Sequence, residues 1–238
     1  MGLVKKVEFL NWEELPAFMQ TKEVRPYWEI LKHRKYSLRI KYIFDFITAF
    51  ILLVFLAIPM LFIAAAIKSD SQGPVFYRQI RVTTYGKKFR IHKFRTMVNG
   101  ADKAGAAVTA ANDSRVTKVG AVLRKYRLDE LPQLLDVLSG DMSFVGTRPE
   151  VVKYVKKYTP EMRATLLLPA GITSEASIRY KDENQLLNEA DDIEKVYVEK
   201  IMPAKMKWNL EGVRQFSFLR DIRTMIRTIL AVAGKNYR

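Results

Sequence analysis

Asp129 and Glu130 stand side by side in LDELPQLLDVL, residues 128 to 138, at the head of an apolar run in a strongly basic chain. The simplest role for such a pair is at a helix N-terminus. There an Asp carboxylate accepts orphan N–H bonds and a first-turn Glu favours the positive end of the helix dipole. Three further polar clusters are KFRTM at 93–97, GDMSFVGTRPE at 140–150 and GITSEASIRYKDE at 171–183. Each has an ordinary structural explanation by itself: Lys93 and Arg95 as an exposed strand face, Arg148 as a turn residue held extended by Pro149, Asp141 as a polar helix stop. Together, adjacent carboxylates and several phosphate-holding cations fit metal-assisted phosphoryl transfer. In such sites carboxylates hold Mg2+ while Arg or Lys neutralises developing charge.

Composition narrows the partners. Forty Lys and Arg against 25 Asp and Glu leave a net charge of +15. That calls for an anionic partner: nucleic acid, an anionic membrane or a phosphorylated substrate. There is no cysteine, which excludes disulfides and cysteine zinc sites, and His33 and His92 are too far apart in sequence to read as a metal pair. A length of 238 residues with 49% hydrophobic content suits one domain with a sizeable core plus accessory segments.

The elements that must carry these clusters follow from periodicity. Ile47 to Ile67 is an uncharged run of 21 residues, about 30 Å as a helix and long enough to cross a bilayer. Pro59 lies within it and predicts a bend or break. Lys32, Arg34, Lys35, Arg39 and Lys41 precede the run, and Lys68, Arg78, Arg81, Lys87 and Lys88 follow it. Both flanks therefore prefer the cytoplasmic side. The expectation is a re-entrant helix that bends at Pro59 and returns to the face it entered, in preference to a single span. Residues 1–41 read as a short helical N-terminal extension, 42–68 as the re-entrant membrane helix, and 69–238 as a domain at the cytoplasmic face.

Within that domain PVFYRQIRV and KFRIHKF flank the turn-like TTYGK and predict a β-hairpin. Residues 99–112 read as a loop or short helix. Asn112, Asp113 and Ser114 offer N-caps for a helix through about Arg124. Leu131, Leu134, Leu135 and Leu138 form one helical face, with Asp129 as expected N-cap, Pro132 in the first turn and Gly140 as the stop. Both acids would then point out of a helix N-terminus, where phosphate is attracted. Near the C-terminus, Phe218, Leu219, Ile222, Met225, Ile226, Ile229 and Leu230 share one side of a helix, and Arg220, Arg223 and Arg227 lie largely on the other. This pattern suits a basic amphipathic helix at a membrane surface, and equally a helix packed on a core. The fold class expected is α+β, predominantly helical with a small β-hairpin, a membrane-embedded re-entrant helix and interfacial amphipathic helices.

KYIFDF, PVFYRQIRV, KFRTM, LDELPQLLDVLSGDMSFVGTRPE and PAGIT occur in this order over roughly residues 41 to 230. In these motifs the chain resembles the bacterial sugar transferase family, the monotopic polyprenyl-phosphate phosphoglycosyl transferases, in a compact form. The resemblance implies a UDP-sugar donor and undecaprenyl phosphate as acceptor. Asp129 would attack the phosphate attached to the sugar and expel UMP, and the polyprenyl phosphate would then take the phosphosugar from it. Glu130 would assist by coordinating Mg2+ or as a base, and the metal set implied is Asp129 with Glu130. Lys93 and Arg148 match positions that hold phosphate; Arg95, Asp141 and Lys181 complete the substrate-binding candidates. Membrane lipid is a further partner, at the cytoplasmic face of the bacterial inner membrane, and a homodimer is allowed without being required. The chain departs from the family pattern at Thr147, at Ser174 and Glu175 after GIT, and at Arg179, Tyr180 and Lys181, which leaves the donor sugar open. The alternative is a basic, membrane-attached binding protein without catalysis. Nucleic acid is disfavoured, because no helix-turn-helix or aromatic RNA-binding motif accompanies the charge.

Overall fold

A computed structural model describes residues 8–101, 113–180 and 192–232. Lys181 lies outside the described residues, as does nearly all of the stretch expected to be a loop at 99–112. The chain enters through two 3-10 turns and helix α1 (Arg25–Lys32), then runs into the long helix α2 (Lys35–Asp70). A hairpin of β1 (Phe76–Val82) and β2 (Lys88–Phe94) follows, then α3 (Lys118–Lys125), a 3-10 segment (Leu128–Gln133) and α4 (Leu134–Leu138). Strand β3 (Met142–Val145) pairs in parallel with β4 (Ala170–Thr173), and short α5 (Val152–Val155) lies in their crossover. Helices α6 (Glu175–Arg179), α7 (Ile193–Val196), α8 (Met202–Arg214) and α9 (Phe218–Val232) complete the described chain.

The hairpin forms as the alternation predicts. Tyr77 pairs with Lys93 and Ile80 with Arg90, and the turn is made by Tyr85 and Gly86, both at positive φ. Phe89 and Ile91 are buried from one face of β2. The cap of α3 differs from expectation: Thr117 caps it by accepting the Gly120 amide. Asp113 instead binds the guanidinium and amide of Arg115, so a nearby cation has outcompeted the helix end for its carboxylate.

Residues 8–32, expected as an extension, are built into the largest core. Met19, Val24, Tyr27, Trp28 and Leu31 are buried against Tyr154, Leu167, Met206, Leu210 and Phe216. Periodicity could not reveal this, because the contacts lie more than a hundred residues away. Trp28 is held by its indole N–H donating to the Leu10 carbonyl and by Arg25 and Lys32 over its ring.

Helix α2 spans 36 residues, about 54 Å if straight, and is the one described helix long and apolar enough to cross a membrane. It stays helical through Pro59, with no full break in the helix there. One face packs on the domain along its length: Leu38 joins the first core, Ala49 a second with Phe89, Leu134 and Phe144, and Ile67 a third with Phe94 and Leu123. Its other face leaves Ile43, Phe50, Val54, Phe55, Ile58, Leu61 and Phe62 exposed. Both ends are fastened to the same body. Near the start, Lys41 Nζ donates to the Val145 carbonyl at 3.0 Å and to Asp221 at 2.6 Å. At the end, Asp70 accepts the Val119 amide at 2.9 Å.

Helix α9 is amphipathic in the reverse sense to a core helix. Asp221 and Arg227 make ion pairs with the body and Thr224 is buried, while Leu219, Ile226, Ile229 and Leu230 are exposed. Together with α2 this makes an apolar surface of the kind that marks a membrane or partner contact. Replacing Trp28 with Ala should cost about 3–5 kcal/mol, read as an earlier denaturant midpoint for the detergent-solubilised protein. An unchanged midpoint would mean that residues 8–32 are not part of the core.

Candidate active site

Each element of the site is placed by a local reason. Arg127 adopts the left-handed conformation at φ 58, and the chain then tightens into the 3-10 segment that holds Pro132, so the α-helix proper starts only at Leu134. Asp129 therefore does not act as the expected N-cap. Its carboxylate and that of Glu130 turn toward cations supplied by other elements. Lys93, on β2, packs against this segment, with Nζ 2.8 Å from Glu130 Oε1 and 3.8 Å from Asp129 Oδ2. Arg148 arrives from the loop after β3, with Nη2 2.5 Å from Glu130 Oε1.

The loop's position depends on a close backbone crossing. Gly146 donates to the Thr173 carbonyl and Gly171 to the Thr147 carbonyl, each at 2.9 Å. A Cβ on Gly171 would lie 2.1 Å from the Gly146 nitrogen, so no side chain fits there. Arg81 Nη1 holds the Pro149 carbonyl at 3.1 Å, fixing the loop on its far side.

Asp129 and Glu130 are 8% and 9% exposed, and their environments push them apart. Burial raises the Asp129 pKa above its ordinary 3.8, and the Glu130 charge adds to this, against the opposing pull of Lys93, Arg148 and Arg124. For Glu130 burial also acts upward, but Arg148 and Lys93, both hydrogen-bonded to it, outweigh burial and hold it well below 4.5. Burial lowers the Lys93 ammonium, partly offset by Glu130. Adjacent carboxylates driven in opposite directions are a mark of divided chemical roles.

The structure thus brings Asp129, Glu130, Lys93 and Arg148 together. Arg95 is not brought to them: its Nη2 donates to the carbonyls of Ile67 and Ser71, closing the C-terminal end of α2 where orphan carbonyls need donors. Asp141 accepts the Ser139 hydroxyl in the turn after α4. The sequence reading missed Arg124, on the last turn of α3, whose positive charge acts on Asp129. Its only signal was a position five residues before Asp129, across the Arg127 turn. Among the described residues no group of three or more His, Cys, Asp or Glu could hold a metal. Two adjacent carboxylates remain, and this donor set suits a Mg2+ that completes its shell with water and substrate phosphate.

The model of the bacterial sugar transferase family matches residues 36–235. The chain belongs to that family. It is 37% identical over 189 residues to the UDP-glucose:undecaprenyl-phosphate glucose-1-phosphate transferase of Escherichia coli, a match covering 78% of this chain and 38% of that protein. It is 34% identical over 192 residues to the protein of the same description from Caulobacter vibrioides, covering 79% of this chain and 68% of the relative. The exopolysaccharide production protein PSS of Rhizobium leguminosarum is 34% identical over 210 residues, covering 84% of this chain and 100% of the relative. The chain thus spans little more than a third of the Escherichia coli relative and the whole of the Rhizobium one. Within this family member the four clustered residues all lie inside the matched region.

Replacing Lys93 with Met removes a charge that pulls the Asp129 pKa down, so that pKa should rise further. Carboxyl carbon NMR titration should show the shift, and any activity should be lost on acidification at a higher pH than in wild type. A shift in the opposite direction would disprove the electrostatic account.

Proposed function

We propose that the protein is a phosphoglycosyl transferase that moves a sugar 1-phosphate from a UDP-sugar to undecaprenyl phosphate. The observation that carries this reading is the buried Asp129 carboxylate, raised in basicity and flanked by Lys93, Arg148 and Arg124. The names of the relatives supply the substrate classes. An Asp129 oxygen attacks the phosphorus that bears the sugar; the phosphorus–oxygen bond to UMP breaks, and the electron pair leaves with UMP. An oxygen of undecaprenyl phosphate then attacks the aspartyl phosphosugar and frees the carboxylate. Lys93, Arg148 and Arg124 counter the charge on the transferring phosphoryl group.

Glu130 is a poor proton acceptor because its two cations hold it ionised. Neither step requires a general base, since both nucleophiles are already anions. We therefore assign Glu130 to organising Lys93 and Arg148 and to holding Mg2+ with Asp129. Held there, Mg2+ would supply positive charge to offset the negative charge of the donor's diphosphate.

The enzyme works at the cytoplasmic face of the bacterial inner membrane, in the first membrane step of glycan synthesis, with α2 re-entrant. Fastening of α2 at both Lys41 and Asp70 to one body supports this topology, because a single span would carry its two ends to opposite faces. Both basic flanks agree.

Asp129→Asn should abolish UMP release from a panel of UDP-sugars with undecaprenyl phosphate and Mg2+, while membrane extraction stays normal. Retained turnover would exclude the nucleophilic role. In intact cells a single cysteine in place of the exposed Glu13, in this cysteine-free chain, should resist an impermeant maleimide and react once the cells are opened. External labelling would refute the re-entrant path.

A further inference from the structure

A cleft opens beside the Arg148 loop. It lies beyond the C-terminal ends of the parallel pair β3 and β4 and is closed by α8 and α9, the position where open parallel sheets receive ligands. Its apolar walls are Val145, Leu168, Val213 and Phe216, and Thr147 at its edge is the residue before Arg148. It also contains Ser174 and Glu175, where the chain departs from the family pattern.

The polar groups of the cleft differ in what they have left to offer. Glu175 is taken by Arg227 and Thr224, and Asp221 by Lys41. Asn209, 7% exposed, is not satisfied: among the described residues its Oδ1 has no hydrogen-bond partner. Among the same described residues its Nδ2 reaches only the Met206 thioether, at 3.8 Å, a weak acceptor. A buried amide in this state is costly unless something pairs with it. One turn on, Gly212 has nothing within 4 Å of where a Cβ would stand, which leaves room along α8.

We propose that this cleft is the uracil subsite of the donor nucleotide, read by Asn209. A carboxamide offers one acceptor and one donor in a plane, which complements the N3–H and O4 edge of uracil. Cytosine presents the reverse order there, an acceptor at N3 and a donor at N4, which the amide could meet only by turning over and giving up the Nδ2 contact with the Met206 thioether. An apolar slot suits the ring faces, and the adjacent Thr147–Arg148 step leads toward the site proposed to hold the diphosphate. A sugar ring is less well served, because the carboxylates that would take its hydroxyls are already bonded. This inference rests on the transferase reading above.

The test is calorimetric binding of UMP and CMP to the full chain in nanodiscs. Wild type should bind UMP at least tenfold more tightly than CMP, and Asn209→Leu should weaken UMP about tenfold and erase the preference. Gly212→Leu, which fills the cleft at a helix position that favours Leu over Gly, should weaken both nucleotides while leaving the denaturant midpoint unchanged or higher. A folded Asn209→Leu variant that keeps the wild-type preference would overturn the proposal. So would variants that change discrimination between UDP-glucose and UDP-N-acetylgalactosamine while the UMP to CMP ratio stays fixed, an outcome that makes the cleft a sugar subsite. If Asn209→Leu does not fold, Gly212→Leu decides alone, and unchanged UMP binding there sinks the idea. Wild type that releases UMP in turnover but shows no UMP preference would refute only the subsite; wild type that neither binds nor releases UMP would refute the transferase reading with it.

Discussion

Two carboxylates in adjacent positions cannot be buried together unless cations come to meet them. Desolvation of an unpaired charge costs several kcal/mol, and like charges side by side add to it. The rest of the domain can be understood as the delivery of those cations. The hairpin brings Lys93, the β3–β4 crossover brings Arg148, and the last turn of α3 brings Arg124. No single element holds the site. It exists only when three separate pieces of the chain have packed on the 3-10 segment.

The same cooperation ties the site to the apolar helix. Lys41 holds the carbonyl of Val145, three residues before Arg148, and Asp45 accepts the hydroxyl of Ser143 on the same strand. Arg95, two residues after Lys93 in sequence, closes the far end of α2. The segments that supply Lys93 and Arg148 are thus anchored to the helix that carries the exposed apolar face, so the carboxylate cluster and that face share one framework.

Much of this was legible in the residues. Asp129, Glu130, Lys93 and Arg148 come from motifs whose side chains carry charge in short, ordered patterns, and the hairpin follows from its alternation. What the sequence concealed were choices made between competing partners. Asp129 could cap a helix or face cations, and the left-handed Arg127 decides for the cations. Arg95 could bind phosphate or close α2, and the orphan carbonyls at Ile67 and Ser71 claim it. Residues 8–32 and Asn209 depend on contacts distant in sequence, which no local pattern encodes.

The outward apolar face shared by α2 and α9 has a kinetic meaning. With that face seated in a bilayer, the molecule keeps translation in two dimensions and rotation about one axis, and its charged pocket stays at a fixed height. Meetings with the lipid-borne acceptor proposed above would then follow the number of molecules per unit area. Diluting the cell extract would leave that step unchanged, whereas diluting the lipid would slow it.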